Sequence, residues 1–335
     1  MNYRSRKVVV TGADGFIGSH VVEELVAAGA EVTALAAYNS FDSLGWLDDL
    51  APEVARSVKA VRGDVRDPGF VMRLLAGQEM CFHLAALIAI PHSYVAPQSY
   101  VETNVTGTLN VLEGARANGL ARVVHTSTSE VYGTAQVEPM DESHPLQGQS
   151  PYSASKIGAD MMAEAYARSF DMAVITLRPF NTFGPRQSER AVIPTIIRQA
   201  LDPHCQQINL GDLSPRRDFT FVVDTARAFL ALGAAQDIAY GTAYNGGTGR
   251  SVSIGETLDA IQSLCGTDKP VVTEQARVRP AHSEVRALIA DPSRLQRASG
   301  WQASYSLEQG LEQSIAWWKS RIAVGQVRAS SSYMT

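Results

Sequence analysis

Near the amino end, residues 7–11 (KVVVT) form a short β-branched run. Gly12-Ala13-Asp14-Gly15-Phe16-Ile17-Gly18 follows at once, ahead of an amphipathic stretch that reaches residue 28. Strand, glycine-rich turn and helix in that order let a backbone approach a pyrophosphate closely and set helix-end N–H groups against it. The spacing is GxxGxxG rather than GxGxxG. Glycines alone only permit a tight turn; placed between a strand and a helix they point to a dinucleotide site.

The following 150 residues repeat the alternation. Apolar runs at 31–35, 58–62, 80–84, 122–125 and 173–177 read as strands, and helical patterns at 68–75, 97–118 and 152–170 fall between most of them. Strand and helix alternating through short connections give an α/β fold, a Rossmann-type doubly wound parallel sheet. Such sheets bind ligands at the carboxyl ends of their strands, where Gly12, Asp64, Ala85, Ser127 and Pro179 all fall.

After residue 179 the rhythm changes. Residues 180–190 are polar and loop-like, 191–201 helical, and 202–217 irregular with one short strand. Residues 218–223 and 224–235 return to strand and helix. Ser253-Ile254-Gly255-Glu256 has capping-box spacing, and 306–322 is a closing amphipathic helix whose Trp317 and Trp318 are expected in the core. The division expected is a sheet domain of residues 1–180 plus about 219–250. About 181–218 and 251–324 form a smaller mixed C-terminal lobe for substrate, and 325–335 a disordered tail.

Composition excludes several classes. The apolar fraction of 45% and net charge of −5 suit a globular protein and argue against nucleic-acid binding. Cys81, Cys205 and Cys265 are far apart, which suggests reduced thiols in the cytoplasm and no metal site. The longest apolar stretch, 81–90, is too short for a membrane span, and residues 1–7 are polar, unlike a signal peptide.

Chemistry concentrates in residues 128–156. Thr128-Ser129-Glu130 emerges at the end of the fifth strand, a polar loop follows, and Tyr152 precedes Lys156 by four residues. That spacing stacks phenol and ammonium on one helix face, and a nearby cation favours the phenolate. On its own such a pair is more often a surface contact; the dinucleotide turn upstream changes its meaning.

Taken together, TGADGFIG, GDVRD, FHLAAL, TNVTGTLNVLE, TSEVYG, YSASK, RPFNTFGPR and RRDFTFVVD occur in order over nearly the whole chain. The chain thereby resembles the extended short-chain dehydrogenase/reductase family, in particular its nucleotide-sugar-modifying members. Residues 37–50, with HTSTSEVYGTA and QGQSPYSASKIGAD, are similar to the 4,6-dehydratases of the legionaminic-acid pathway type. The resemblance implies NAD at Gly12, Gly15, Phe16, Ile17, Asp64, Val65, Leu84, Ala85 and Ala86, with Gly18 completing the turn. It implies that Tyr152 takes the sugar 4-hydroxyl proton and that Lys156 lowers the Tyr152 pKa and holds the nicotinamide ribose. Thr128 would bond the same hydroxyl, and Glu130 would remove the C5 proton once C4 is a ketone. Asn181, Arg186, Arg217, Arg279 and Glu284 would hold the nucleotide diphosphate and sugar. The resemblance also implies a homodimer, since in relatives the helices matching 97–118 and 152–170 form a four-helix dimer interface.

Two positions depart from the family pattern. Ser129 stands where many dehydratases carry an Asp that protonates the leaving C6 oxygen, so Glu130 or a water held by Ser129 would have to serve. The second strand ends in Ala36-Ala37-Tyr38 rather than in the acidic residue that binds the adenosine ribose. No arginine replaces it for a 2′-phosphate; Asn39 or Ser40 could bond the ribose, which favours NAD without excluding NADP. The rival readings are a UDP-glucuronate decarboxylase, with Arg186 as the cation for its carboxylate, an epimerase, and a non-catalytic dinucleotide-binding protein.

Overall fold

The β-branched runs pair into one parallel sheet. In the computed structural model, which describes residues 2–274 and 285–327, its first six strands are β1 (Lys7–Thr11), β2 (Glu31–Ala37), β3 (Val58–Gly63), β4 (Met80–His83), β5 (Arg122–Thr126) and β6 (Val174–Pro179). After these come β7 (Asn181–Phe183), β8 (Ile208–Leu210), β9 (Arg216–Arg217) and β10 (Phe219–Phe221). β11 (Thr242–Gly246), β12 (Val252–Ser253), β13 (Val271–Thr273) and β14 (Ala287–Leu288) complete the order. The large sheet runs β11-β6-β5-β4-β1-β2-β3, every pairing parallel.

Alternation along each strand feeds two cores. Val8, Val10, Phe82 and Val124 face the helices Phe16–Ala27 and Val222–Ala234, with Leu25, Phe229 and Leu232. Val9, Cys81 and Val123 face the helices Pro68–Leu75, Gly107–Ala117 and Pro151–Phe170, with Val71, Leu75 and Val111. A strand with apolar residues on both faces must be covered on both, which is why the sheet is parallel and doubly wound.

The smaller lobe is woven from later segments. β8 pairs with β13, and β12, β9 and β14 form a three-stranded sheet. Phe183, Ile193, Ile197, Ile208, Phe221, Leu258, Leu311 and Trp318 make its core. Ser253 and Ser306 each cap a helix through a full capping box, the first as its spacing predicts. Leu295 and Trp301 pack into the sheet domain's core, so residues 293–301 lie across the expected boundary. Of the tail, residues 325–327 are described, and Val327 packs against the lobe core; 328–335 lie outside the described residues.

Several elements differ from the sequence reading, among them β7, which lies within residues 180–190 read as loop-like. The seventh strand, β11, carries the short run TAYNG, which contains one aromatic and no β-branched residue except Thr242. The helical stretch at 97–118 is divided into helices Pro97–Tyr100 and Gly107–Ala117 by a π-helical segment at Val101–Thr106. Asn104, at the middle of that segment, accepts from the Leu87 N–H at 2.8 Å and donates to the Leu87 carbonyl and the Ser155 hydroxyl. Such π-turns commonly appear where a helix must present a side chain to a site. Among the described residues no helix is long and apolar enough to cross a membrane.

Candidate active site

The carboxyl ends of the central strands open into a cavity of about 2100 Å³. Gly12 has φ +67°, and a Cβ there would lie 2.7 Å from the Ala85 nitrogen; at Gly18 it would lie 2.1 Å from the Gly12 carbonyl. Both positions therefore require glycine. Gly15 caps the helix Phe16–Ala27 without any side-chain bond to its first N–H groups, so the helix end is available to an anion.

His83 braces this turn from beneath. Thr108 donates to the Asn104 carbonyl, so the Thr108 oxygen accepts from His83 Nε2 at 3.0 Å, and the Thr11 hydroxyl donates to His83 Nδ1 at 2.8 Å. Thr11 in turn accepts from the Ala85 N–H. Burial holds the His83 pKa well below its ordinary value, with the neighbouring His125 and Lys156 adding to the fall, so the ring is neutral. The backbone at Leu84-Ala85-Ala86 is thereby fixed against Gly12.

Thr128 ends the strand-to-helix turn. Its side-chain oxygen accepts from the Glu130 N–H at 3.2 Å and caps the short 3-10 helix Ser129–Tyr132. An oxygen that already accepts leaves its proton to be donated elsewhere. Ser150 and Ser153 form a capping box that starts the helix Pro151–Phe170 one residue before Tyr152.

Tyr152 and Lys156 are both almost fully buried. Burial drives the Tyr152 phenol well above its ordinary pKa; the Thr128 hydrogen bond opposes this and the charges of Glu130 and Asp160 add to it. The net shift is opposite to the one Lys156 alone would produce. The Lys156 ammonium donates to the Thr126 carbonyl at 2.5 Å. Burial pushes its pKa down to about 8, and Asp160 works against the fall.

Asp160 anchors the helix one turn further on. Its carboxylate accepts from His125 Nε2 at 3.2 Å, from the Ser127 hydroxyl at 2.7 Å, and from Arg178 Nε and Nη2 at 3.2 and 3.0 Å. Arg178 also donates to the Tyr132 hydroxyl at 2.9 Å.

The cavity brings together Thr128, Ser129, Glu130, Tyr152 and Lys156 with Gly12, Gly15, Phe16, Ile17, Asp64, Val65, Leu84, Ala85 and Ala86. Asn181 and Arg186 line it too. Asn181 Oδ1 is buried with no hydrogen-bond partner among the described residues, as a ligand-facing acceptor would be. Arg186 is clamped by both oxygens of Glu23 at 2.7 and 2.9 Å. Burial raises the Glu23 pKa, yet His20 and Arg186 outweigh it and bring it to about 2. Arg217 is buried on β9 away from the cavity lining and donates to the Arg216 carbonyl. Arg279 and Glu284 lie outside the described residues. The sequence reading gave no role to His83, Asn104, Asp160 or Arg178, although all four fall within quoted motifs.

A dinucleotide-type turn, a Thr–Glu pair and a Tyr–Lys pair around one cavity define a nucleotide-sugar enzyme of the extended short-chain dehydrogenase/reductase type. The chain belongs to the family described as GDP-mannose 4,6 dehydratase, which matches residues 9–314. It is 32% identical to a dTDP-glucose 4,6-dehydratase of an Actinoplanes species, covering 94% of this chain and 98% of that one. It is equally 32% identical to a UDP-glucose 4-epimerase of Mycolicibacterium smegmatis, covering 94% and 99%. Among solved structures, DesIV, a dTDP-glucose 4,6-dehydratase from Streptomyces venezuelae with NAD bound, superposes with a TM-score of 0.85. The identity there is 31%, over 95% of this chain and 98% of that one.

Proposed function

We propose that the protein is an NAD-dependent nucleotide-sugar 4,6-dehydratase, acting on an NDP-hexose, foremost UDP- or GDP-linked N-acetylglucosamine. The observation that carries this reading is Glu130 lining the same cavity as Thr128, Tyr152 and Lys156. C4 inversion alone has no use for that carboxylate, whereas elimination needs a base at C5.

Bound NAD supplies the acceptor for hydride from C4 and returns that hydride to C6. Tyr152 takes the O4 proton, with Thr128 donating to the same oxygen and Lys156 holding the nicotinamide ribose. The C4 ketone acidifies C5–H, and Glu130 removes that proton. The C6 hydroxyl leaves as water, protonated by Glu130 or by a water held at Ser129. C5 then regains a proton from solvent, so one water is lost and the reaction is redox-neutral. Asn181 lines the cavity where the diphosphate would lie, and Arg279, outside the described residues, is the guanidinium the family resemblance assigns to that dianion.

The rival decarboxylase needs a cation for the C6 carboxylate, and the Arg186 guanidinium is committed to Glu23. Placement in the legionaminic-acid type rests on residues 37–50 and the QGQSPYSASKIGAD stretch. Exposed Ile88, Tyr94, Val95, Val101 and Met161 on and beside the helices before Tyr152 and on its own helix supply an apolar face for a cytoplasmic homodimer.

Incubation with UDP- and GDP-linked N-acetylglucosamine, glucose, mannose and glucuronate in heavy water tests the reading. Loss of one water with deuterium at C5 supports it and names the substrate. Carbon dioxide released from the glucuronate, with the other sugars untouched, replaces it with the decarboxylase.

A further inference from the structure

The adenosine end of the cavity lacks the acidic residue that ordinarily closes β2 in dinucleotide folds: the strand runs out through Ala36-Ala37 into Tyr38. A carboxylate nevertheless stands there, brought by the glycine turn. Asp14 Oδ2 accepts from the Ala37 N–H at 3.0 Å. Asp14 and Ala37 line the cavity together with Gly12, Leu35, Tyr38 and Gly63.

The loop after β2 holds Asp14 in position. Its carbonyl accepts from the Trp46 N–H at 3.0 Å. Gly45, at φ +60°, packs so close that a Cβ would lie 2.6 Å from that carbonyl. Trp46 itself meets Trp317 edge-on at 5.7 Å, tying the loop to the closing helix.

The cations nearby are already matched. Arg62, in register with Ala36 across β2 and β3, bonds the Asp42 carbonyl at 2.7 Å and its carboxylate at 2.8 Å. Arg66 is bonded to both oxygens of Asp64 and lies 3.6 Å from Glu102. A ribose 2′-phosphate placed here would meet the Asp14 charge with both guanidinium groups engaged, whereas ribose hydroxyls would find an acceptor.

We propose that Asp14 reads the adenosine ribose in place of the missing β2 acid and thereby makes the protein select NAD over NADP. The proposal rests on the dinucleotide reading given under Proposed function. A carboxylate bonded once through Oδ2 retains acceptor capacity for a ribose diol, and like charge excludes the 2′-phosphate.

The test is direct titration of NAD and NADP by calorimetry against the full-length wild type, Asp14→Ala and Asp14→Asn, with thermal melts as fold controls. Asp14→Asn keeps the size and the acceptor for Ala37 while removing the charge. Wild type is expected to bind NAD about 100-fold or more tighter than NADP. A bond of a hydroxyl to a charged group is typically worth tenfold or more, so both variants should weaken NAD by about tenfold and shrink the preference by at least as much. Folded variants that keep the wild-type preference overturn the role of Asp14, as does a wild type that prefers NADP; the dinucleotide reading survives both. A wild type that binds neither overturns the dinucleotide reading and this proposal together.

Discussion

Lys156 donates its ammonium to the carbonyl of Thr126 at 2.5 Å, which pins the helix Pro151–Phe170 to the end of β5. The bond is made by a side chain almost wholly removed from water, and burial brings its pKa from 10.5 down to about 8. Below pH 8 the group is charged in both folded and unfolded chains, and the folded state bears the whole desolvation cost, on the order of 3 kcal/mol. Between pH 8 and 10.5 the unfolded chain binds more protons, so that cost is lifted as pH rises. Lys156→Met should therefore melt above wild type at pH 7 and lose that advantage by about pH 10.5. Calorimetric melts across this range check it, and the variant should be inactive throughout.

How far the sequence carried the fold shows at particular places. β1, the glycine turn and the capped helix start at Ser253 were legible because each depends on neighbours within a few residues. β11 was not, since Ala243, Asn245 and Gly246 have little strand preference and are held by pairing with β6. The motif residues Thr128, Glu130, Tyr152 and Lys156 could be read from order and spacing. The Asp160–Arg178–His125 contacts could not, because residues 125, 160 and 178 meet only once β5, β6 and the helix between them have packed. Asp14 was hidden for the same reason: its partner Ala37 lies 23 positions away.

Tyr152 and Glu130 serve different steps, and their variants should separate those steps. Tyr152→Phe is expected to abolish turnover and any formation of reduced cofactor on mixing with substrate. Glu130→Gln should still reduce the bound nicotinamide, visible as an absorbance rise at roughly 340 nm, and then stall before water loss. Elimination at the wild-type rate in Glu130→Gln would remove that residue from the mechanism.

Asp160 holds Arg178, His125 and Ser127 with one carboxylate and also raises the Lys156 pKa. Asp160→Asn leaves a buried guanidinium without its counter-charge, a loss of about 3–5 kcal/mol. The melting temperature should fall by several degrees. In the fraction that folds, Lys156 should lose its proton at lower pH than in wild type. The alkaline limb of the rate profile, which falls as Lys156 loses its charge, should then move downward in pH. A variant that is merely less stable would keep the wild-type profile.

Gly12 and Gly15 sit three residues apart in one turn and should answer to alanine differently. At Gly12 the backbone is left-handed, and the new methyl would strike the Ala85 nitrogen and Cα at 2.7 and 2.8 Å, atoms that β4 and Thr11 hold in place. Gly12→Ala should therefore lose stability markedly, since neither strain nor clash can relax cheaply. At Gly15, φ is −83°, and the methyl would meet only the Gly12 carbonyl at 3.2 Å. Gly15→Ala should fold with a melting temperature near that of wild type. Its methyl, however, stands at the helix end where the pyrophosphate must approach, so dinucleotide affinity should drop by about tenfold or more. Melting and titration of the two variants side by side check the pair: affinity lost with the fold retained at Gly15, and the fold itself weakened at Gly12.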